Sequence, residues 1–207
     1  MRSPRDIPDP AGQDRRVRRS RATLFAVAVR LISERGTTAV SVTELAEAAD
    51  MSRQGIYGLF EDRESLFVAA GIDLIQRELF PELTRAAGSS RQMTYLAVRH
   101  LAHYRDFYRA LAMGACAYRV QQAVLDAVRS WLNQPDPPLT GPLNLRSGDM
   151  LTTFVVGGMF AVFTRWLVDG RHPADLDEIT DEVLQLAASL RAMAPSDDDL
   201  TAREGVL

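Results

Sequence analysis

Apolar residues recur every three or four positions along most of this 207-residue sequence. Leu24, Ala28 and Leu31 show the spacing, which places side chains on one face of an α-helix. No segment has the apolar and polar alternation that is typical of strands. Because 46% of the residues are apolar, the chain has enough hydrophobic surface for a sizeable buried core. The pattern therefore predicts an all-α protein of one or two globular units.

Glycine and proline divide the periodic sequence into separate helices. Gly36 stands where the first helix is expected to end, and Pro81 is expected to end or kink a later one. Further breaks fall at 88–90, 133–142 and 170–173. The predicted helices run over residues 15–35, 42–49, 53–60, 63–80, 92–113, 115–132, 143–169 and 176–193.

The same pattern divides the chain into four parts. Residues 1–14 contain prolines and scattered charges without periodicity, and we expect them to form a disordered arm. Residues 15–62 hold the first three helices, and residues 63–194 hold a larger helical domain. Residues 195–207 are acidic and are expected to form a flexible tail.

The charge distribution separates the front of the chain from the rest. The net charge is −3, but residues 1–63 carry +2 and residues 64–207 carry −5. The overall negative charge would ordinarily argue against a nucleic-acid partner, because phosphate binding is driven by cations that displace counterions, but the first region is the basic one. The arginine cluster at 15–21 adds positive charge there.

Several other classes of protein are disfavoured by the residue types. The single cysteine, Cys116, excludes an internal disulfide framework, and we expect it to be a buried, inert thiol. His100 and His103 lie three residues apart without a further ligand nearby, so we interpret them as surface histidines. We predict no metal and no cofactor. No nucleophile elbow or phosphate-binding glycine loop is present, which argues against an enzyme.

The sequence also gives an expectation about location. The first 21 residues lack the apolar segment of a secretory signal. The uncharged stretch Met150–Phe163 is shorter than the ~20 residues that span a bilayer. We therefore expect a soluble, cytoplasmic protein.

Residues 41–66 read SVTELAEAADMSRQGIYGLFEDRESL and have the pattern of a helix-turn-helix. Ser41 and Glu44 have the spacing of a capping box, and Ser52 is placed to cap the next short helix. The inward positions of the two helices are apolar, whereas the outward positions of the second are polar. The inward set is Leu45, Ala46, Ala49, Ile56, Leu59 and Phe60, and the outward set is Arg53, Gln54 and Tyr57.

This segment resembles the DNA-binding signature of the TetR (tetracycline-repressor-like) family, over roughly residues 17–70. The matching positions are Val42, Leu45, Ala46, Ala49, Met51, Ser52, Ile56, Tyr57, Phe60, Arg63, Glu64 and Leu66. Three positions depart from the family pattern. Asp50 replaces the usual turn glycine and tolerates a left-handed backbone, Arg63 replaces lysine, and Gly58 follows the tyrosine where a larger residue is common.

The resemblance implies a role for each matching polar residue. Thr43, Arg53, Gln54 and Gly55 are expected to face base edges, since arginine pairs with guanine and glutamine with adenine. Ser41, Ser52, Tyr57 and Arg63 are expected to hold phosphates. Read without the resemblance, Arg53 and Gln54 are ordinary solvated helix positions, and the arginine cluster at 15–21 is a solubilising tail.

The resemblance further implies an effector cavity and a dimer in the second domain. The predicted ligand-binding set, which is otherwise plain core, is Tyr104, Phe107, Tyr108, Met113, Cys116, Tyr118 and Trp131. The predicted dimer contacts, which are otherwise internal packing, are Phe154, Gly158, Ala161, Ile179, Val183, Leu186 and Leu190. The family builds its dimer from two such helices in each subunit.

We therefore interpret the chain as a DNA-binding transcriptional regulator and a homodimer. The expected mode is a repressor that a small-molecule effector releases from a palindromic operator. A small helical enzyme or metabolite-binding protein is the alternative, and a helical adaptor that uses residues 41–66 for protein contacts is another. Only the regulator predicts an affinity for duplex DNA that falls steeply with salt.

Overall fold

The computed structural model describes residues 10–134, 150–169 and 175–192, and these residues contain helices and turns but no strand. The all-α class predicted from the sequence is confirmed. The helices are α1 Pro10–Arg35, α2 Val42–Ala48, α3 Arg53–Tyr57, α4 Arg63–Leu74, a π-helical segment Ile75–Leu79, α5 Phe80–Arg85, α6 Ser90–His103, α7 Arg105–Met113, α8 Ala117–Leu132, α9 Met150–Asp169 and α10 Leu176–Ala192.

Helix α1 starts earlier than the sequence pattern predicts. It begins at Pro10, and proline is well tolerated in the first turn because its missing N–H has no partner there. An Asp14–Arg18 ion pair at 3.3 Å lies one turn further on. The predicted disordered arm is therefore wrong for residues 10–14. Residues 1–9 and the predicted tail at 195–207 lie outside the described residues.

The turn between α2 and α3 depends on a left-handed residue. Asp50 has a φ of 52°. This conformation lets the Met51 amide donate to the Ala46 carbonyl at 2.9 Å and the Asp50 amide donate to the Glu47 carbonyl at 3.3 Å. The two bonds form a Schellman motif, which ends the helix and redirects the chain. The prediction that Asp50 takes the place of a turn glycine is confirmed.

Helix α4 continues through the π-helical segment into α5 without a break. Pro81 has no amide hydrogen to donate and sits in the first turn of α5. In the preceding segment the Phe80 amide donates to Ile75, five residues back. The predicted end of the helix at Pro81 is therefore wrong: the backbone passes through one wider, π-helical turn before the proline and continues as α5.

One predicted helix is two helices in the structure. The pattern over 92–113 gives no warning of a break, yet α6 ends at His103 and α7 begins at Arg105. Tyr104 between them has φ −104° and ψ 29°, outside the α-helical region. Its amide still donates to the His100 carbonyl at 3.2 Å. Apolar periodicity continues across such a break, because it shows which side of a helix is buried and not whether the backbone is continuous.

Helix α4 belongs to both halves of the molecule. Leu66, Phe67 and Ala70 are fully buried in the main core. Helices α1, α7 and α8 all pack against α4. The predicted boundary between residues 62 and 63 therefore marks the start of a shared helix.

The last two helices cover the outside of the bundle. Helix α10 packs on α6 through a small core of Val98, Ile179 and Val183. Helix α9 lies on α7 and α8. Its opposite side stays exposed, and Phe154 retains 64% of its accessible surface. Helix α9 thus carries an apolar surface that has no partner among the described residues.

The left-handed turn can be tested by substitution at Asp50. Asp50→Val is expected to lower the free energy of unfolding by about 1–2 kcal/mol, because a β-branched residue is disfavoured at positive φ. Asp50→Gly provides the control and should leave stability unchanged or slightly higher. Urea unfolding followed by circular dichroism measures both. Equal stability of the valine and glycine variants would contradict this description of the turn.

Candidate nucleic-acid interface and effector cavity

The recognition-helix candidate, α3, is short and is fixed at both ends. The Ser52 hydroxyl accepts a hydrogen bond from the Gly55 amide at 3.0 Å, which caps the first turn. Gly58 caps the other end through its amide and the Gln54 carbonyl. The helix covers Arg53–Tyr57, three residues fewer than the predicted 53–60. Gly58 thus ends the recognition helix.

The side chains of α3 divide between core and solvent. Ile56 is buried, whereas Arg53 and Gln54 are exposed and Tyr57 retains 57% of its accessible surface. Thr43, at the start of α2, is also exposed and lies with Arg53 along a surface groove between the two helices. Four residues of the predicted base-reading and phosphate-binding set are therefore presented together on one open surface.

The start of α2 is held by a network of charged hydrogen bonds. The Glu44 carboxylate accepts from the Ser41 amide at 2.8 Å and from the Ser41 hydroxyl at 2.7 Å. The Arg35 guanidinium lies 2.6 Å from the other carboxylate oxygen. The Arg35 bond, followed by those from Ser41, lowers the pKa of Glu44 to about 2. The predicted capping box is confirmed.

This network limits what Ser41 offers to DNA. The Ser41 hydroxyl can donate one hydrogen bond, and in the structure it donates that bond to the Glu44 carboxylate. Phosphate oxygens only accept hydrogen bonds, so a contact with Ser41 would need the hydroxyl hydrogen that already points to Glu44. Among the two predicted serine contacts, Ser52 is the better placed, because its hydroxyl accepts from Gly55 and keeps its own proton available in this geometry.

Arg63 connects the interface to the body of the domain. Its Nη1 donates to the Val40 carbonyl at 3.3 Å, across the start of the helix-turn-helix. A guanidinium has five N–H donors, so this bond leaves others for a phosphate. The residue itself is exposed. Arg63 is therefore both tethered and accessible.

Gly55 has a structural reason to be glycine. A Cβ atom there would lie 3.3 Å from the Ser52 hydroxyl oxygen, which is the atom that caps the helix. The predicted close approach of Gly55 to bases stays a prediction, and protection of the cap is a sufficient local explanation for the residue.

The arginine cluster at 15–21 lies on helix α1. Arg21 packs into the domain, with its guanidinium 4.8 Å from the centre of the Phe60 ring and 5.5 Å from that of Phe25. These distances are within the range of cation–π contacts. Arg15 and Arg19 are exposed. The cluster is therefore helical and partly anchored, rather than a free tail.

A second feature is an apolar cavity of about 310 Å³ in the larger domain. Its walls come from α4, the π-helical segment and α5, from α6 to α8, and from α9. Val68, Gly71 and Ile72 bring α4 to this wall. Cavities of this size are at the lower end of the range for drug-sized ligands.

The predicted ligand-binding residues fall in different places. Tyr108 and Trp131 line the cavity. Phe107 and Cys116 are fully buried and pack in the core, while Tyr104 borders a separate surface groove beside α1. Met113 and Tyr118 retain 60% and 71% of their accessible surface.

Most of the cavity wall was missed by the sequence analysis. The missed residues are apolar side chains on the inward faces of their helices, such as Ile75, Val124 and Met159. Their spacing predicts burial but does not separate a cavity wall from a filled core. Aromatic and sulfur-containing residues were therefore a poor guide to the cavity.

His100 differs from its predicted place. It is buried, and its Nε2 lies 2.8 Å from the Tyr108 hydroxyl, so the surface interpretation is wrong for this histidine. Burial lowers the pKa of His100 to about 4. His103 is exposed, as predicted. In the described ranges, no group of three metal-ligating side chains comes together.

Cys116 is buried, as predicted. Burial raises the pKa of its thiol, which keeps the sulfur protonated and a poor nucleophile. The Cys116 thiol also lies 3.8 Å from the Leu111 carbonyl. These observations agree with an inert structural thiol.

Two contacts join the cavity domain to the helix-turn-helix. Arg119 on α8 lies 2.9 Å from the Asp62 carboxylate, which itself caps α4 by accepting from the Ser65 amide at 2.6 Å. At the end of α7, a Cβ atom on Gly114 would lie 2.6 Å from the Thr38 hydroxyl oxygen in the loop before α2. The corner between α7 and α8 therefore packs closely against the first domain.

Comparison with known proteins supports the assignment of the first domain. Residues 24–70 match the family model described as "Bacterial regulatory proteins, tetR family". No match was found among curated protein sequences.

Solved structures extend the likeness in fold to most of the chain. The TetR family repressor AlkX from Dietzia sp. strain DQ12-45-1b is 18% identical, with a TM-score of 0.56 over 84% of this chain and 98% of that one. A TetR-family regulator from Streptomyces coelicolor A3 is 15% identical, with a TM-score of 0.55 over 90% and 98%. The repressor FadR from Thermus thermophilus, solved with lauroyl-CoA, is 23% identical, with a TM-score of 0.55 over 86% and 96%.

The capped helix pair and its exposed polar surface have the geometry of a helix-turn-helix. The match over that pair makes the first domain similar to that of TetR-family regulatory proteins, and the fold beyond it is the one seen in solved TetR-family structures. The resemblance stated from the sequence is thereby confirmed.

Substitutions at Gln54 and Arg63 separate base reading from phosphate binding. Gln54→Ala should cost roughly 1–3 kcal/mol at the preferred duplex and little at unrelated ones, because only base contacts carry sequence information. Arg63→Ala should weaken binding to all duplexes alike and lower the salt slope by about one. Fluorescence anisotropy at several salt concentrations measures both effects.

Arg85→Ala provides the matched control, since Arg85 is exposed on α5 in the second domain. Circular dichroism should show the parent's helix content in all three variants. If Gln54→Ala and Arg63→Ala bind like the control, the interface has been assigned to the wrong surface.

Proposed function

We propose that the protein is a cytoplasmic homodimeric repressor that binds a palindromic operator and is released from it by a small-molecule effector. The observation that carries the proposal is the exposure of Arg53, Gln54 and Tyr57 on a helix whose remaining positions are fixed by caps and by core packing. A two-fold dimer presents two such helices to successive major-groove faces of one duplex.

The dimer is supported by the unpartnered surface of α9 and α10. Met150, Phe154 and Leu186 are exposed apolar side chains, with 88%, 64% and 42% of their accessible surface retained. Gly157 and Gly158 face open space, so another helix has room to approach α9 closely. Exposed apolar patches of this kind mark association surfaces.

The proposed interface is narrower than the predicted one. Phe154, Gly158, Ala161 and Leu186 are exposed, and Leu190 is partly exposed, so these residues are retained. Ile179 and Val183 are buried against Val98 of the same chain and are not part of the proposed surface. The apolar stripe on α10 thus packs inside the subunit at the start of the helix and lies on the surface towards its end.

A membrane anchor is the other explanation for the apolar surface of α9. By length and composition alone, the 20 residues of α9 are sufficient to cross a bilayer. However, Val156 and Met159 of the same helix line the cavity, and Leu167 packs into the main core. A helix that closes a cavity in its own domain cannot leave it for a bilayer without opening that domain. We therefore favour a cytoplasmic dimer.

Coupling between effector and DNA has a physical route through α4 and the α7–α8 corner. Cavity-lining Val68 and Gly71 lie on α4, a few residues beyond Arg63. Cavity-lining Val120 is adjacent to Arg119, which bonds the Asp62 cap of α4. A ligand that separates these cavity walls moves α4 and α8, the helices that contact the helix-turn-helix. Linkage then requires that DNA weaken the ligand by the same factor.

The alternative is a small helical metabolite-binding protein or enzyme. The cavity alone is compatible with that alternative. Such a protein, however, does not need a helix pair with exposed polar side chains. An affinity for duplex DNA that falls steeply with ionic strength distinguishes the regulator, because only phosphate contacts release counterions.

The dimer is tested by Phe154→Arg. The charged side chain should separate the subunits, and loss of bivalent binding should reduce affinity for a palindromic duplex about 100-fold or more. Phe154 is already exposed, so the fold of each subunit should survive. Light scattering coupled to size exclusion gives the mass, and anisotropy gives the affinity.

Gln122→Arg is the matched control, since Gln122 is exposed on α8 and lies outside the proposed interface. The control should remain a dimer with the parent's affinity. A dimeric Phe154→Arg protein would contradict the proposed interface, and a parent protein that is monomeric at all concentrations would contradict the dimer itself.

A further inference from the structure

We propose that the effector is an electrically neutral, mainly hydrocarbon molecule. This inference rests on the proposed function, which assigns the apolar cavity to an effector. It concerns the chemistry of the cavity wall rather than the existence of a regulatory ligand.

The described cavity wall contains no ionisable side chain that is charged at neutral pH. Its 24 lining residues include no aspartate, glutamate, arginine or histidine. Four of them have a hydrogen-bonding side chain, namely Thr94, Tyr108, Trp131 and Thr164. The others are aliphatic or aromatic hydrocarbon, glycine and methionine. A ligand therefore meets hydrocarbon over nearly all of its surface.

Three of the four polar groups already have partners within the protein. The Thr94 hydroxyl donates to the Ser90 carbonyl at 2.9 Å, and the Trp131 indole donates to the Thr84 hydroxyl at 3.3 Å. The Tyr108 hydroxyl pairs with His100. A ligand thus gains few hydrogen bonds here, and Thr164 offers one hydroxyl for at most a small neutral polar group.

A charged ligand group has no counter-charge in this wall. His100 contacts the Tyr108 hydroxyl, and burial lowers its pKa to about 4, so it is uncharged at neutral pH. Glu78 and Glu82 do not line the cavity and bond to other residues, Glu78 to Tyr104 and Glu82 to Arg99. Burying an unpaired carboxylate or ammonium group is strongly unfavourable, so the wall selects against both.

The experiment uses three probes with a ten-carbon chain, decan-1-ol, decanoate and decylammonium, and the shorter octan-1-ol, each below its aggregation limit. Trp131 lines the cavity and Trp166 is the only other tryptophan. A Trp166→Phe background therefore makes tryptophan fluorescence a reporter of the cavity. The same samples, mixed with labelled duplex DNA, report release by anisotropy.

Decan-1-ol is expected to bind at least tenfold more tightly than decanoate or decylammonium. It should also bind more tightly than octan-1-ol, by about fourfold for each added methylene that the cavity accommodates. Val124→Phe, which places a ring in the cavity from α8, should weaken alcohol binding at least tenfold. Gln122→Phe, on the exposed side of the same helix, is the control and should not.

Equal or tighter binding of either charged probe would overturn the proposal, as would alcohol binding that Val124→Phe leaves unchanged in a folded protein. Absence of alcohol binding overturns it as well. The proposed function is tested separately by DNA binding without probe. If decan-1-ol binds in the cavity and DNA affinity does not change, the ligand chemistry is supported and the effector role of the cavity is contradicted.

Discussion

The structure depends on the burial of helix α4 from two sides. Leu66, Phe67 and Ala70 are removed from water in a core that the first and second domains share. Ala70 and Leu74 face α1, while Gly71 faces Leu111 and Tyr108 closely enough that a Cβ would lie 3.3 Å from the leucine. Helix α4 therefore contacts both the core of the first domain and the wall of the cavity.

The first domain was largely predictable because its signals are local. The capping box, the left-handed turn residue and the serine cap each depend on interactions within about four residues. The roles of Ser41, Asp50 and Ser52 could therefore be predicted from the sequence alone. The outward positions of α3 follow from the same spacing, since Ile56 must face inward. Local rules do not show which partner a polar side chain uses, as with the Ser41 hydroxyl, which donates its hydrogen bond to Glu44.

The second domain was predictable in class but not in detail. Its helices follow from periodicity, yet the break at Tyr104 and the burial of His100 depend on partners far along the chain. A cavity wall is made of the same residues as a packed core, so Tyr108 and Trp131 were found whereas Met113 and Tyr118 proved to be exposed. On α10, one stripe serves both an internal contact and the free surface, and only the packing of Val98 against Ile179 separates them.

In the proposed complex, α3 enters the major groove twice per dimer. Methylation protection of guanine N7, an atom that lies in the major groove, tests this directly on a duplex enriched from a random pool by the protein. The proposed complex should give two protected clusters that are related by a two-fold axis and separated by about one helical turn or a multiple of it. Failure to enrich any sequence, or a bound duplex whose guanines stay fully reactive, would contradict it.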